Sequence, residues 1–164
     1  MDELRIEPAQ DGDIENVIQL TLDAFGQVSF ESNIESKFGL INDRSWQIRK
    51  ADHIREDFSD PNGLVLLAKI ADETIGFVSI RLNQKSKIGV IANLAVATKA
   101  RNEGVGRKLI KAAIGEMKSE SMELARIETL DQNDIGKSLY PKLGFREIAK
   151  QIYYCQDLRT DNLA

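Results

Sequence analysis

The sequence predicts one α/β domain with a mixed, mostly antiparallel central sheet flanked by helices. An apolar stretch from Ile88 to Val96 has the length of a buried strand, and a glycine-containing turn and an amphipathic helix follow it. Two strand-like stretches lie just before it, joined by tight turns, which is typical of an antiparallel meander. A chain of 164 residues is large enough for one core, so residues 1–164 are assigned to a single domain.

The amino-terminal part is predicted to contain one short strand and two helices. Leu4 to Ile6 is the strand. The first helix follows it and carries apolar residues at helical spacing, namely Ile14, Val17, Ile18 and Leu22. Residues 26–42 fit neither pattern and stay unassigned. Arg44 to Phe58 is predicted to be the second helix, because the turn-forming sequence Asp60-Pro61-Asn62-Gly63 follows it.

The central strands are predicted at Leu64 to Ile70, Ile75 to Leu82 and Ile88 to Val96. The next helix runs to about Lys118, with an apolar stripe of Val105, Leu109, Ala113 and Met117. Ala125 to Leu130 is predicted to be a strand parallel to the central one, because the helix between them is a usual crossover. A last helix from Asn133 to Leu143 ends at Gly144, and Phe145 to Leu158 is expected to add one or two final strands.

Composition narrows the functional classes. The net charge of −4 argues against a nucleic-acid-binding surface, and the chain has no apolar run long enough for a membrane span or a secretory signal. Cys155 is the only cysteine, which excludes an internal disulfide and favours the cytoplasm. His53 is the only histidine, so no metal site is expected, and it is predicted to be solvated on a charged helix. Cys155 is expected to be buried by packing.

The turn after the central strand has the properties of a phosphate-binding site. Its sequence is Arg101-Asn102-Glu103-Gly104-Val105-Gly106-Arg107, and Lys108 follows. Backbone N–H groups in the first turn of a helix have no partner within the helix, and the helix dipole adds positive charge there. Gly104 and Gly106 carry no Cβ, so an anion can approach the backbone closely. The turn lacks the patterns of a dinucleotide-binding loop and of a P-loop.

Two motifs in the right order carry a family resemblance. The Arg-x-x-Gly-x-Gly turn after an apolar strand resembles the acetyl-CoA pyrophosphate loop of the GNAT superfamily of N-acetyltransferases. The segment Asn133-Asp134-Ile135-Gly136-Lys137-Ser138-Leu139-Tyr140-Pro141-Lys142-Leu143-Gly144-Phe145 resembles that family's Asn-x-x-small-x-x-Leu-Tyr-x-x-x-Gly-Phe segment. The likeness covers about residues 64–158 well and residues 1–60 only in outline.

Helical geometry places the polar residues of the second motif on one face. At about 100° per residue, Asn133, Gly136 and Tyr140 lie within an arc of roughly 60°. Ile135 and Leu139 are centred about 110° away and are predicted to face the sheet. The alternative is that Asn133 caps the helix and Tyr140 packs at the edge of the core.

The resemblance implies the GNAT fold and transfer of acetyl from acetyl-CoA to a primary amine by direct attack in a ternary complex. It implies that the central strand and the next parallel strand splay apart around the pantetheine arm, with backbone contacts from Leu94 and Val96. It assigns Tyr140 as the acid that protonates the departing thiolate. The other implied cofactor-binding residues are Arg101, Asn102, Gly104, Val105, Gly106, Arg107 and Asn133.

The general base is where the sequence departs from the family pattern. Many relatives have a carboxylate at the position of Ala92, and no glutamate or aspartate lies between Glu73 and Glu103. A water-mediated route is open, as is a carboxylate from the region before the first hairpin. The candidates there are Glu31, Glu35, Asp52 and Glu56. Phe30, Phe38 and Trp46 are expected either to line an acceptor pocket or to form an aromatic core.

Two functions follow from this pattern. The first is an active N-acetyltransferase whose acceptor is a small-molecule amine or a protein amine. The second is a catalytically weak acyl-CoA-binding sensor or regulatory module, which the missing strand carboxylate favours. No nucleic-acid or membrane partner is expected in either case, and a homodimer is left open.

Overall fold

The fold is described for residues 3–26 and 28–160 in a computed structural model. One five-stranded sheet has the order β1-β2-β3-β4-β5. Its strands are Arg5–Pro8 (β1), Gly63–Ile70 (β2), Glu73–Asn83 (β3), Ile88–Val96 (β4) and Leu124–Ile127 (β5). The helices are Ile14–Phe25 (α1), Phe30–Phe38 (α2), Trp46–Ser59 (α3), Val105–Ser119 (α4) and Asp134–Lys142 (α5). The mixed α/β fold predicted from the sequence is confirmed.

The sheet is antiparallel from β1 to β4, and β5 is parallel to β4. This confirms the predicted meander and the crossover through α4. The apolar stripe of α4 is buried against one face of the sheet, with Leu109 and Ala113 fully inaccessible. On the other face a second core cluster joins α1 and α3 to the sheet through Val17, Ile54 and Phe77. None of the helices in the described ranges is long and apolar enough to cross a membrane.

β4 and β5 separate halfway along β4. Their pairing runs from Ile88 opposite Leu124 to Ile91 opposite Ile127, and β4 continues to Val96 without a β5 partner. A bulge lies at the same place, because Ile80 of β3 is opposite Ile91 while Ser79 is opposite Asn93. The resulting opening between the two strands, beyond the Ile91–Ile127 pair, is called the wedge below. It lies where the family resemblance implies that the two strands diverge.

Two predicted elements are corrected. Residues 26–42 contain α2, whose N-cap Ser29 accepts the Ser32 N–H at 3.0 Å. This helix was missed because it buries little apolar surface of its own. The strand predicted at Ala125 to Leu130 starts at Leu124 and ends at Ile127, because its pairing with β4 stops at the Ile91–Ile127 pair.

The final strands predicted at Phe145 to Leu158 are wrong, because no strand forms there. The segment and Arg159 directly after it are held instead by contacts with the α2 region. The Tyr153 ring packs edge-on against Phe30 with centroids 4.9 Å apart, and Arg159 donates to the carbonyls of Phe38 and Leu40. Alternating apolar residues therefore stay exposed, because a strand also needs a hydrogen-bonding neighbour, and β5 ends too early to provide one.

Cys155 lies in the same segment and is exposed, so its predicted burial is wrong. That expectation rested on the usual preference of free cysteine for the core. The preference fails here because the segment does not join the sheet.

Candidate functional site

The turn before α4 has the backbone geometry of an anion-binding helix terminus. Gly104 is the N-cap and adopts a left-handed conformation with φ of 77°, and Asn102 has a positive φ of 67°. The first backbone bond of α4 joins the Lys108 N–H to the Gly104 carbonyl at 3.0 Å. The backbone N–H groups of Val105, Gly106 and Arg107 therefore have no acceptor within the helix. Such amides bind phosphates.

Arg101 attaches this turn to the end of the central strand. Its Nε donates to the Val96 carbonyl at 3.4 Å, and the side chain is partly buried. Arg107 and Lys108 are exposed. A Cβ added at Gly106 would lie 3.7 Å from both Val96 and Leu139. The start of α4, the end of β4 and the middle of α5 therefore meet at Gly106, so the two predicted motifs are adjacent in space.

Asn133, Gly136 and Tyr140 lie together, as their spacing predicted. The Asn133 Oδ1 accepts the Gly136 N–H at 3.1 Å, and its Nδ2 donates to the Thr129 hydroxyl at 2.9 Å. Both ends of the amide are thus used to start α5, so the capping interpretation holds in the structure. A contact between Asn133 and a cofactor stays a prediction.

The side of α5 that faces the sheet differs from the predicted one. Leu139 is partly buried against the α4-side core, but Ile135 is 68% exposed. The packed side instead includes Tyr140 and Leu143. The prediction for Ile135 failed because the sheet-facing stripe is rotated toward Tyr140 and away from the start of the helix.

Tyr140 is placed to keep its proton. Its ring is partly buried and lies edge-on to Phe145, with centroids 6.1 Å apart. Burial raises the pKa of the Tyr140 phenol above its ordinary value. At neutral pH the phenol is therefore a proton donor. Gly144 follows the C-cap with φ of 91°, which confirms its predicted place after the helix.

The candidate bases from the helical region mostly have other partners. Glu31 Oε2 accepts from Arg49 Nε at 3.0 Å, and Glu35 accepts the Trp46 N–H at the start of α3. Asp52 pairs with Arg44. These contacts join α2 and the loop after it to α3.

The last candidate base, Glu56, is exposed on α3, opposite the buried positions of that helix. His53 is partly exposed, with Nε2 3.8 Å from Glu31 Oε1. The aromatic residues Phe30, Phe38 and Trp46 are all partly buried and belong to neither core cluster of the described chain. The aromatic-core alternative is therefore wrong, and the acceptor-pocket alternative stays a prediction.

Sequence reasoning missed a buried polar network beside the bulge of β4. Asp57 of α3 is only 3% exposed and accepts from the Ser79 hydroxyl and from Asn93 Nδ2, each at 2.6 Å. Its other oxygen accepts from Arg81 at 2.6 and 3.1 Å. Lys50 Nζ donates to Asn93 Oδ1 at 2.6 Å. The network brings an ammonium and a carboxylate to the central strand at the edge of the wedge.

A signal for this network was present in the sequence. Asp57 follows the buried Ile54 by three residues, so an acidic side chain occupies the apolar face of α3. Lys50 lies one turn before Ile54 and is also partly buried. Burial lowers the pKa of the Lys50 ammonium, although the nearby carboxylates of Asp57 and Glu31 oppose this.

Comparison with known proteins bears on the family and the fold of the chain. The profile of the Acetyltransferase (GNAT) family matches residues 29–145. N-alpha-acetyltransferase 30 of Xenopus laevis is 35% identical over 85 residues, which cover 50% of this chain and 31% of that protein. The chain thus spans about a third or less of the length of the curated relatives it matches.

Solved structures with the same fold cover nearly the whole chain. PaiA N-acetyltransferase of Thermoplasma acidophilum, in complex with coenzyme A, has a TM-score of 0.73 at 21% identity and covers 91% of this chain and 93% of its own. The structure of AAC(6')-Iy with a CoA-containing bisubstrate analogue has a TM-score of 0.70 at 15% identity and covers 94% of this chain and 99% of its own. At such identities the likeness establishes the fold alone. The family match extends over most of the sequence and includes both motifs, and the chain belongs to the GNAT acetyltransferase family.

Proposed function

We propose that the protein transfers an acetyl group from acetyl-CoA to a primary amine by direct attack within a ternary complex. The observation that carries the proposal is the meeting of the wedge, the open amides of α4 and the Tyr140 helix around Gly106. One end of this arrangement suits a pyrophosphate, and α5, which approaches Gly106 through Leu139, carries the proton donor Tyr140.

The residues present fit a bound acetyl-CoA, which would supply the thioester. The amides of Val105, Gly106 and Arg107 would hold its pyrophosphate, helped by the Arg101 and Arg107 guanidinium groups. Asn102 gives the turn its positive-φ conformation before Gly104. Leu94 and Val96 would offer backbone groups of β4 that β5 leaves unpaired.

Tyr140 would donate the proton that the departing CoA thiolate needs. Its burial and raised pKa keep the phenol protonated, which suits an acid more than a base. The attacking amine must also lose a proton. An amine like that of lysine has a pKa of ~10.4, so keeping it neutral at pH 7 costs about 4.6 kcal/mol. Glu31, Glu35 and Asp52 are paired, and Glu56 is exposed on the side of α3 opposite its buried face, so we assign proton removal to water.

The acceptor class is proposed from the relatives and stays broad. One relative is named for N-alpha-acetylation and another structure holds an acetylneamine analogue, so protein amines and small-molecule amines are both candidates. The test is release of free thiol from acetyl-CoA with a panel of peptides, polyamines, amino acids and aminoglycosides. Amine-dependent release with a 1:1 acetylated product supports the proposal.

Direct attack can be separated from a covalent acyl-cysteine route. Cys155 is the only cysteine in the sequence, and it is exposed on the segment after α5. Cys155→Ser is expected to keep the full rate. A loss of amine-dependent turnover in this variant would instead indicate an acyl-enzyme.

The second candidate function is an acyl-CoA-binding sensor, favoured by the pairing of the carboxylates that could act as bases. It predicts that acetyl-CoA binds, measured by calorimetry, while no amine in the panel releases thiol. Binding with turnover supports the transferase, and absence of binding contradicts both functions.

A further inference from the structure

Ser79 supplies a hydrogen bond that the bulge of β4 would otherwise lack. At a bulge two residues oppose one, so one backbone group loses its ladder partner. Here the Asn93 backbone N–H donates to the Ser79 hydroxyl oxygen at 3.0 Å. Both residues are buried, with Ser79 only 1% exposed. A buried N–H without a partner is costly, so the hydroxyl stabilises this backbone conformation.

Asp57 fixes the orientation of both side chains. The Ser79 hydroxyl uses its only proton to donate to Asp57 Oδ2, which leaves its lone pairs for the Asn93 amide. Asn93 Nδ2 donates to the same carboxylate oxygen. Arg81 occupies the other oxygen, so neither oxygen of Asp57 is free to act as a base. The carboxylate is therefore a structural link between α3 and the central strand.

The bulge lies where the wedge begins. Ala92 is the additional residue, directly after the last pair between β4 and β5. Because of the added residue, Ile91 and Leu94 both contact the α4-side core although they are three positions apart. Without the bulge, Leu94 would be turned to the α3 side and the strand would lose the orientation it has beside the wedge.

We propose that Asp57, Ser79 and Asn93 are positioning residues that shape the wedge for the pantetheine arm of acetyl-CoA. The inference rests on the proposed function, because it presumes that acetyl-CoA binds between β4 and β5. In this proposal α3, which packs on the opposite face of the sheet from α4 and its turn, affects the binding of one part of the cofactor only, the pantetheine arm. The adenosine and phosphate end is held by the start of α4 and does not depend on the network.

This separation is tested by comparing two ligands. Calorimetry measures binding of CoA and of adenosine 3′-phosphate 5′-diphosphate, the part of CoA without pantetheine, to the parent and to Ser79→Ala. The variant is expected to bind CoA about tenfold more weakly, equivalent to about 1.4 kcal/mol, and the fragment within about twofold of the parent. Ile54→Val is the matched control, because it shortens a buried side chain of α3 without touching the network.

A merely structural role would give a different result. If Ser79→Ala weakens the binding of both ligands equally, or the binding of neither, the inference is overturned. If Ile54→Val shows the same selective loss of CoA binding at a similar melting temperature, it is overturned as well. Should Ser79→Ala not fold, Asn93→Ala keeps the Ser79–Asp57 bond and tests the same selectivity.

The same binding measurements distinguish a failure of the proposed function from a failure of the inference. A parent that binds neither CoA nor the fragment contradicts acetyl-CoA binding itself. A parent that binds both, with no selective loss in the variants, contradicts only the role of the network. Hydrogen exchange gives a further readout, because Ser79→Ala should speed exchange of the Asn93 amide more than that of amides in β2.

Discussion

Asn133 and Gly136 are in contact across the first turn of α5. The Asn133 side-chain oxygen accepts the Gly136 N–H at 3.1 Å, and a Cβ at position 136 would lie 2.9 Å from Asn133 Nδ2. The same Cβ would lie 3.0 Å from the Tyr140 ring. Glycine is thus required for the capping amide and the phenol to approach each other, whether or not either touches a ligand.

Gly136→Ala is expected to destabilise the protein by about 1–3 kcal/mol, because the added methyl group must displace Asn133, Thr129 or Tyr140. Urea unfolding measures the change. Gly115→Ala is the matched control on α4, because its Cβ would meet nothing within 4 Å. The free energy of unfolding of this control is expected to rise by about 0.5–1 kcal/mol, because alanine has a higher helix propensity than the glycine it replaces. Equal stability of Gly136→Ala and the parent would contradict the close packing.

Gly104→Val is expected to weaken CoA binding by about tenfold or more, because a β-branched residue with positive φ costs about 1–3 kcal/mol. The strain comes from the backbone conformation alone, since a Cβ there would meet nothing within 4 Å. Gly104→Asn is the control, because asparagine tolerates the left-handed region. Calorimetry should find that Gly104→Asn weakens CoA binding less than Gly104→Val does. Unchanged affinity in a folded valine variant would remove the turn from the cofactor site.

Tyr140→Phe is expected to lower kcat by about 10²–10⁴-fold while acetyl-CoA affinity changes little. The reason is the loss of the proton donor from a side chain whose packing is otherwise kept. Tyr154→Phe is the control, because that tyrosine is exposed in the segment after α5. Rates are measured at saturating amine, with chemistry shown to limit turnover. A rate within about twofold of the parent would reduce Tyr140 to a structural residue.

Lys50 is expected to make the free energy of unfolding depend on pH in the alkaline range. Its folded pKa is lowered by burial below the ordinary 10.5, so between these two values the unfolded state binds more protons. The free energy of unfolding contributed by Lys50 therefore rises as the pH is raised through this window. The stability of the parent relative to Lys50→Met should increase as the pH is raised toward the ordinary value of 10.5, measured by urea unfolding at each pH. A difference that stays constant, or falls, would contradict the burial effect.

Local sequence signals predicted the parts of the site whose geometry lies within one element. The start of α4 after the glycine-containing turn and the proximity of Asn133 to Tyr140 both follow from spacing along a turn or a helix. The α4 stripe was predictable for the same reason, because a period of 3.6 residues specifies one face. The face of α5 that packs against the sheet was not predictable in this way, because Ile135 and Tyr140 lie on different sides of the helix and both are apolar enough to be buried.

The sequence by itself determined the meander, the crossover helix and the glycine-containing turn before it, because hydrophobic period, glycine placement and turn residues are local properties. Only the tertiary structure decided that β5 stops at Ile127, that residues 145–158 do not pair, and that Asp57 joins Ser79 and Asn93 under the bulge. Each of these depends on a partner distant in sequence. A strand or a buried carboxylate is stable only when another part of the chain supplies its hydrogen bonds.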